Sequence, residues 1–176
     1  MATLRTQRTK LFYLLSKLGR WSPFHRRARD LQNIFNYLPI HPDFASSGQP
    51  TESQFHLIKA QGFTTVINLA PHHAENALAD EAGLLAKLGL NYHHIPVDFK
   101  HPTETDFAQF TQAMQTKPGK VWLHCAANMR ASAFVFRYRR EQLGEPLEIC
   151  LQDLHRIWEP YGVWAEFIRP ALALKN

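Results

Sequence analysis

Acidic residues are missing from one end of this sequence and cysteine is scarce throughout. Residues 1–29 hold no Asp or Glu against eight basic side chains: Arg5, Arg8, Lys10, Lys17, Arg20, Arg26, Arg27 and Arg29. The overall formal charge of +5 over 176 residues therefore misdescribes the remainder, where 12 basic residues face 15 acidic ones. A mildly acidic body argues against nucleic acid as the partner of the whole protein. The two cysteines, Cys125 and Cys150, form neither a disulfide framework nor a zinc-type CxxC pair, which points to a reducing, cytoplasmic compartment. No apolar run approaches the length that spans a bilayer. A secretory signal is not expected either, because the N-terminal apolar stretch is short and no small-residue cleavage site follows it. Internal repeats and low-complexity segments are absent.

The length suits one domain with a real core, and the 45% hydrophobic content is ordinary for a globular chain. The sequence divides into a basic arm, residues 1–30, and a folded body, residues 31–176. In the arm, Leu11, Phe12, Leu14, Leu15 and Leu18 recur at helical spacing before Gly19 and Ser22-Pro23 break the run. Such a helix can lie on an anionic membrane surface or dock on protein.

From Tyr37 the pattern is α/β. Strands are expected at 37–40 and 44–48, joined by a turn at His41-Pro42-Asp43. Thr51 with Gln54 is a capping box opening a helix that runs to about Ala60. The β-branched run in 63–69 predicts a strand buried on both faces, followed by a helix over 75–88. A strand over 92–97, a helix capped by Thr103 and Asp106, and a strand over 121–124 come next. Helices from Ala131 to about Leu143, from Glu145 to Ile157 and after Gly162 complete the chain. Alternation of this kind implies crossover connections, and hence a central, mostly parallel sheet flanked by helices.

Ligands of open α/β sheets bind beyond the carboxyl ends of the strands. Three such ends are chemically loaded: Asn68 with His72-His73, Asp98, and Cys125. The last opens a short loop, Cys125-Ala126-Ala127-Asn128-Met129-Arg130, that leads into a helix. Amides at a helix start bind oxyanions and lower a thiol pKa, and a guanidinium adds a fixed charge for phosphate or sulfate. Asp98 stands where a proton donor to a leaving oxygen would be useful.

His124-Cys125 through Arg130-Ala131-Ser132, with Gly62 to Leu69, Ile95-Pro96-Val97-Asp98 and Ser47-Gly48-Gln49-Pro50-Thr51, resembles the cysteine-dependent protein-tyrosine and dual-specificity phosphatases. The small bacterial dual-specificity-like branch is most similar; it includes the phosphatase-like part of beta-lactamase-hydrolase-like proteins. The resemblance covers roughly residues 36–170. It implies a dual-specificity-phosphatase-like fold and attack of the Cys125 thiolate on a phosphate monoester, through a cysteinyl-phosphate. It further implies that amides of Ala126, Ala127, Asn128, Met129 and Arg130, with the Arg130 guanidinium, hold the phosphate oxygens. Asp98 would act as acid and base, His124 would orient the loop, and Ser132 would hydrogen-bond the sulfur. No metal or cofactor is implied, and the substrate would be a phosphorylated protein or a small phosphate ester.

Two departures stand out. The family places five residues between Cys and Arg and a Gly third after Cys; here four residues intervene and Asn128 takes the Gly position. Either the loop closes one residue early around Arg130, or another cation binds the phosphate. Four-residue spacing is also that of rhodanese-like sulfurtransferases, which carry a persulfide on such a Cys. A catalytically weak phosphate-binding module is the third reading.

Of the ten histidines, His93-His94 point to opposite faces of a strand and suit a shared metal poorly. His72 or His73 can reach a site rim. Arg137 and Arg140 share a helix face, expected to be solvated, and Trp158 and Trp164 read as core.

Overall fold

The computed structural model describes residues 3–19, 30–116 and 118–174, without the side chains of 12 and 15–19. The expected roles of Phe12, Leu15, Leu18, Ser22-Pro23 and the basic residues Lys17, Arg20, Arg26, Arg27 and Arg29 lie outside that description.

Five strands form one sheet in the order β1-β2-β5-β3-β4. β1 (Leu38–His41) and β2 (Phe44–Ser47) make an antiparallel hairpin about the expected turn. β2 pairs parallel with β5 (Lys120–His124), which in turn pairs parallel with β3 (Phe63–Asn68); β4 (Asn91–His94) lies parallel at the edge. The sheet is central and mostly parallel, as expected. β3 and β5 carry helices over both faces, so Val66, Ile67, Val121, Trp122 and Leu123 are all fully buried.

The α2 helix (Glu52–Ala60) begins at the predicted capping box. Gln54 N–H donates to Thr51 Oγ1 at 3.3 Å, and Thr51 N–H to Gln54 Oε1 at 2.9 Å. Gly62 then turns the chain with φ +83°. Thr103 and Asp106 cap α4 (Glu104–Thr116) in the same reciprocal way.

The expected helix over 75–88 is shorter, and α3 spans only Glu81–Lys87. Asp80 accepts from Gly83 N–H at 2.8 Å and so starts the helix there. Upstream, Asn76 is buried with its amide on the Ala126 carbonyl, which holds residues 71–79 as a loop against the Cys125 loop.

α5 (Met129–Glu141), α6 (Leu147–Ile157) and α7 (Val163–Ala173) cover one face of the sheet. Phe107, Phe110, Phe134, Phe167 and Trp164 interlock there as edge-on and tilted pairs. The basic cluster on α5 corrects the expectation of a solvated face, since Arg137, Arg139 and Arg140 are all buried. Arg137 lies between the rings of Phe107 and Phe167, 4.0 and 4.7 Å from their centroids, with both terminal nitrogens on Glu104. Arg139 meets Glu145 and Asp153, while Arg140 donates to the carbonyls of Glu145, Ala171 and Leu174. A guanidinium survives burial when its donors are matched in this manner.

The arm contributes α1 (Leu4–Gly19), which begins well before the predicted apolar stretch and rests on the C-terminal end of α6. No helix among the described residues is long and apolar enough to cross a membrane.

Candidate active site

Cys125 follows β5 directly and is 1% exposed, so its sulfur is approached through a cavity of about 510 Å³. Ala126, Ala127, Met129 and Arg130 line the same cavity. Arg130 borders the same space as Cys125, as either reading of the short spacing would need. It can do so because α5 starts at Met129, which puts Arg130 in the first helical turn. Its guanidinium sits over the Phe99 ring at 5.5 Å, and its buried Nε meets no protein acceptor among the described residues.

The loop is held from outside. Asn76 Nδ2 donates to the Ala126 carbonyl at 2.9 Å and Asn36 Nδ2 to the Ala127 carbonyl at 3.0 Å. Gln49 N–H also reaches the Ala126 carbonyl. In a trans peptide the N–H lies opposite the C=O, so the amides of Ala127 and Asn128 turn away from these partners. The first helical bond of α5 runs from Ser132 N–H to the Asn128 carbonyl at 2.9 Å. The N–H groups of Met129, Arg130 and Ala131 therefore precede any intrahelical acceptor and form the positive end of a 13-residue helix.

Asn128 has φ 66°, the left-handed conformation that a glycine would supply. Its buried side chain adds bonds to the Asn36 carbonyl at 2.7 Å and to Ser46 Oγ at 3.1 Å. Gly48 lies against the loop, and a Cβ there would fall 2.8 Å from the Phe35 ring and 3.1 Å from the Ala126 carbonyl. That close approach explains the glycine of the Ser47-Gly48-Gln49-Pro50 stretch.

Behind the loop, His124 is fully buried with Nε2 3.1 Å from Glu81 Oε1. Glu81 also accepts from Asn68 Nδ2 at 2.9 Å and Gln49 Nε2 at 2.5 Å. Burial alone would raise the Glu81 pKa, but the charge and hydrogen bond of His124, with help from Gln49 and Tyr92, bring it down to about 2. An ionised carboxylate only accepts, so the Nε2 of His124 carries the proton. Glu81 was hidden in the sequence as one more residue of the expected 75–88 helix; no spacing linked it to His124. Asn36 and Asn76 were equally silent.

The remaining expected residues stand as follows. Ser132 donates to the Met129 carbonyl at 3.1 Å and accepts from Trp158 Nε1 at 3.2 Å. Asp98 is exposed; its carboxylate accepts from Lys100 N–H at 2.9 Å and lies 3.2 Å from His101 Nδ1. Those bonds, with the backbone bond from Lys100 foremost, hold its carboxyl below the usual range. It does not line the cavity, although its neighbour Phe99 does. His73 and Glu75 line the cavity from the 71–79 loop, and Lys10 and Tyr13 line it from α1. The His72 and His94 rings lie 3.9 Å apart, tilted by 51°, and no group of three His, Cys, Asp or Glu suited to a metal occurs among the described residues.

Known proteins are similar to this chain in sequence and fold. A DUF442 protein of Shewanella putrefaciens CN-32, solved as a candidate phosphatase, is 34% identical with a TM-score of 0.73, over 84% of this chain and 96% of its own. Pseudomonas aeruginosa TpbA in complex with phosphotyrosine shares the fold at 18% identity and a TM-score of 0.59, over 87% of this chain and 89% of its own. The beta-lactamase hydrolase-like protein of Agrobacterium fabrum is 34% identical over 121 residues, 66% of this chain. That of Xylella fastidiosa (strain Temecula1) is 35% identical over 95 residues, 52% of this chain. The chain spans only 22–27% of the length of these two curated relatives. The family described as "DSP-PTPase phosphatase fused to NAD+ Kinase" matches residues 17–150. With the sheet order, the Cys125 loop and the buried helix behind it in place, this chain belongs to that family of dual-specificity-type phosphatases.

Proposed function

We propose that the protein hydrolyses phosphate monoesters through a cysteinyl-phosphate at Cys125, acting on a phosphorylated protein or a small phosphate ester in a reducing cytoplasm. One observation carries this reading: Cys125, Ala126, Ala127, Met129 and Arg130 line one cavity at the N-terminal end of α5. The Cys125 thiolate attacks phosphorus, forming the S–P bond as the P–O ester bond breaks and its electron pair leaves on the ester oxygen. The amides of Ala126 to Arg130 and the guanidinium hold the equatorial oxygens as charge builds there. A carboxylic acid protonates the leaving oxygen; Asp98 takes this role once its side chain turns from Lys100 toward the space that Phe99 borders. Water then attacks the phosphocysteine, gives its proton to the same carboxylate, and releases phosphate with the thiolate restored. His124, fixed by Glu81, holds the loop's start, and Ser132 supports the departing sulfur once its hydroxyl turns from the Met129 carbonyl.

The four-residue spacing from Cys125 to Arg130 favours a second reading, transfer of sulfane sulfur through a Cys125 persulfide. Two assays separate them, p-nitrophenyl phosphate hydrolysis and thiosulfate-to-cyanide sulfur transfer, each with Cys125→Ser. Phosphate ester turnover alone, abolished in the variant, is expected. Sulfur transfer alone overturns the phosphatase reading. Neither turnover, with phosphate or vanadate still raising Tm, would make the chain a phosphate-binding module.

A further inference from the structure

The amphipathic helix of the arm is docked with its polar side inward. Thr6, Thr9 and Tyr13 recur at spacings of three and four and so share a face. Thr6 Oγ1 donates to the Glu159 carbonyl at 3.0 Å, Thr9 Oγ1 to the Ile157 carbonyl at 2.5 Å, and Tyr13 OH to Asn76 Oδ1 at 3.3 Å. Lys10 Nζ bonds the Tyr161 hydroxyl at 2.6 Å on the flank of the same face. Leu4, Leu11 and Leu14 are left outside, 85%, 56% and 56% exposed. Leu4 and Leu11 are seven residues apart and lie along one line of the helix, and the sequence places Leu18 after the same interval.

A helix that merely completed the core would turn its leucines in and its threonines out. An exposed leucine line on a soluble surface costs solubility and marks a contact. The charge of the arm says which contact. Eight basic residues and no acid make residues 1–29 strongly cationic, so a second copy would bring two such arms together against their repulsion. An anionic lipid surface satisfies both properties at once: the leucines enter the headgroup–acyl boundary while lysine and arginine stay among the lipid phosphates.

We propose that the outward face of α1 binds an anionic bilayer. Lys10 and Tyr13 of the same helix line the catalytic cavity, so docking sets the cavity beside the lipid surface and favours phosphate esters presented there. The binding itself does not depend on the phosphatase reading; only that last consequence rests on it.

The test is co-sedimentation of the full-length chain with phosphatidylcholine vesicles, with and without about 30% phosphatidylglycerol. The expected result is a bound fraction higher by about tenfold with the anionic lipid, and reduced by added salt. In Leu11→Glu/Leu14→Glu binding should fall to the neutral-vesicle level, with Tm and p-nitrophenyl phosphate turnover equal to the parent's. Both side chains are exposed and outside the cavity, so the double variant folds. Absence of binding by the parent, absence of an anionic preference, or unchanged binding by the variant would each overturn the proposal. So would a concentration-dependent dimer on sizing columns that the variant abolishes while vesicles pellet neither protein. Absent p-nitrophenyl phosphate turnover would sink the phosphatase reading and leave the vesicle result standing.

Discussion

Asn128 combines a backbone role and a side-chain role that a glycine could fill only in part. Its φ of 66° supplies the turn into α5, and its amide ties the Cys125 loop to Asn36 and Ser46. Asn128→Gly keeps the turn and forfeits two hydrogen bonds, so a loss of about 1 kcal/mol is expected with turnover largely retained. Asn128→Val forces a β-branched residue into that conformation and should cost about 3 kcal/mol with turnover lost. Urea midpoints and kcat on the two proteins check this. The proton donor is the other residue-scale question. Asp98 presents a carboxylate already engaged by Lys100 and His101, whereas Glu75 and His73 border the cavity directly. If Asp98 is the acid, Asp98→Asn slows a poor leaving group such as phenyl phosphate about 100-fold and p-nitrophenyl phosphate far less, and Glu75→Gln changes neither. The reverse pattern reassigns the acid to Glu75. The Cys125 loop, Arg130 and Asn128 were legible in the sequence because they are neighbours in the chain. Glu81, Asn36 and Asn76 act across tens of residues and had no such signature.

At the scale of elements, what local chemistry encodes was readable. The Thr51–Gln54 box and the Thr103–Asp106 pair each satisfy orphan amides within four residues, and both helices start where those residues stand. The false start at 75 had the opposite cause: Asn76 is drawn to the Ala126 carbonyl 50 residues away, and a tertiary bond overrode helix propensity. α5 misled in another manner, since Arg137 and Arg140, read as a wet face, are buried with Arg139 among residues of α4, α6 and α7. Arg137→Ala removes a guanidinium stacked between two rings and paired with Glu104 and Glu141. A loss of about 3 kcal/mol is expected from chemical denaturation, and Arg137→Met, which keeps the packed volume, should lose less.

Across the whole molecule, the Glu81 carboxylate is where separate strands meet, joining Asn68 at the end of β3, His124 at the end of β5 and Gln49 beyond β2. Its folded pKa of about 2 lies below the free value of 4.5, so the native state resists its protonation. The stability this brings is complete above pH 4.5 and is lost as pH falls toward 2. Thermal melts across that window should show a steep decline in Tm, and Glu81→Gln should flatten it while lowering Tm at neutral pH. Asp98 and Glu104 also sit below their usual ranges and push in the same direction. Strand and helix order, the parallel sheet and the position of the thiol loop followed from the chain alone, since they rest on periodicity, capping and contiguous motif. The scaffold of that loop, the burial of the α5 arginines and the face that α1 turns outward did not. Each depends on which distant groups compete for the same hydrogen bonds and the same apolar volume, and that competition exists only once the sheet has brought them together.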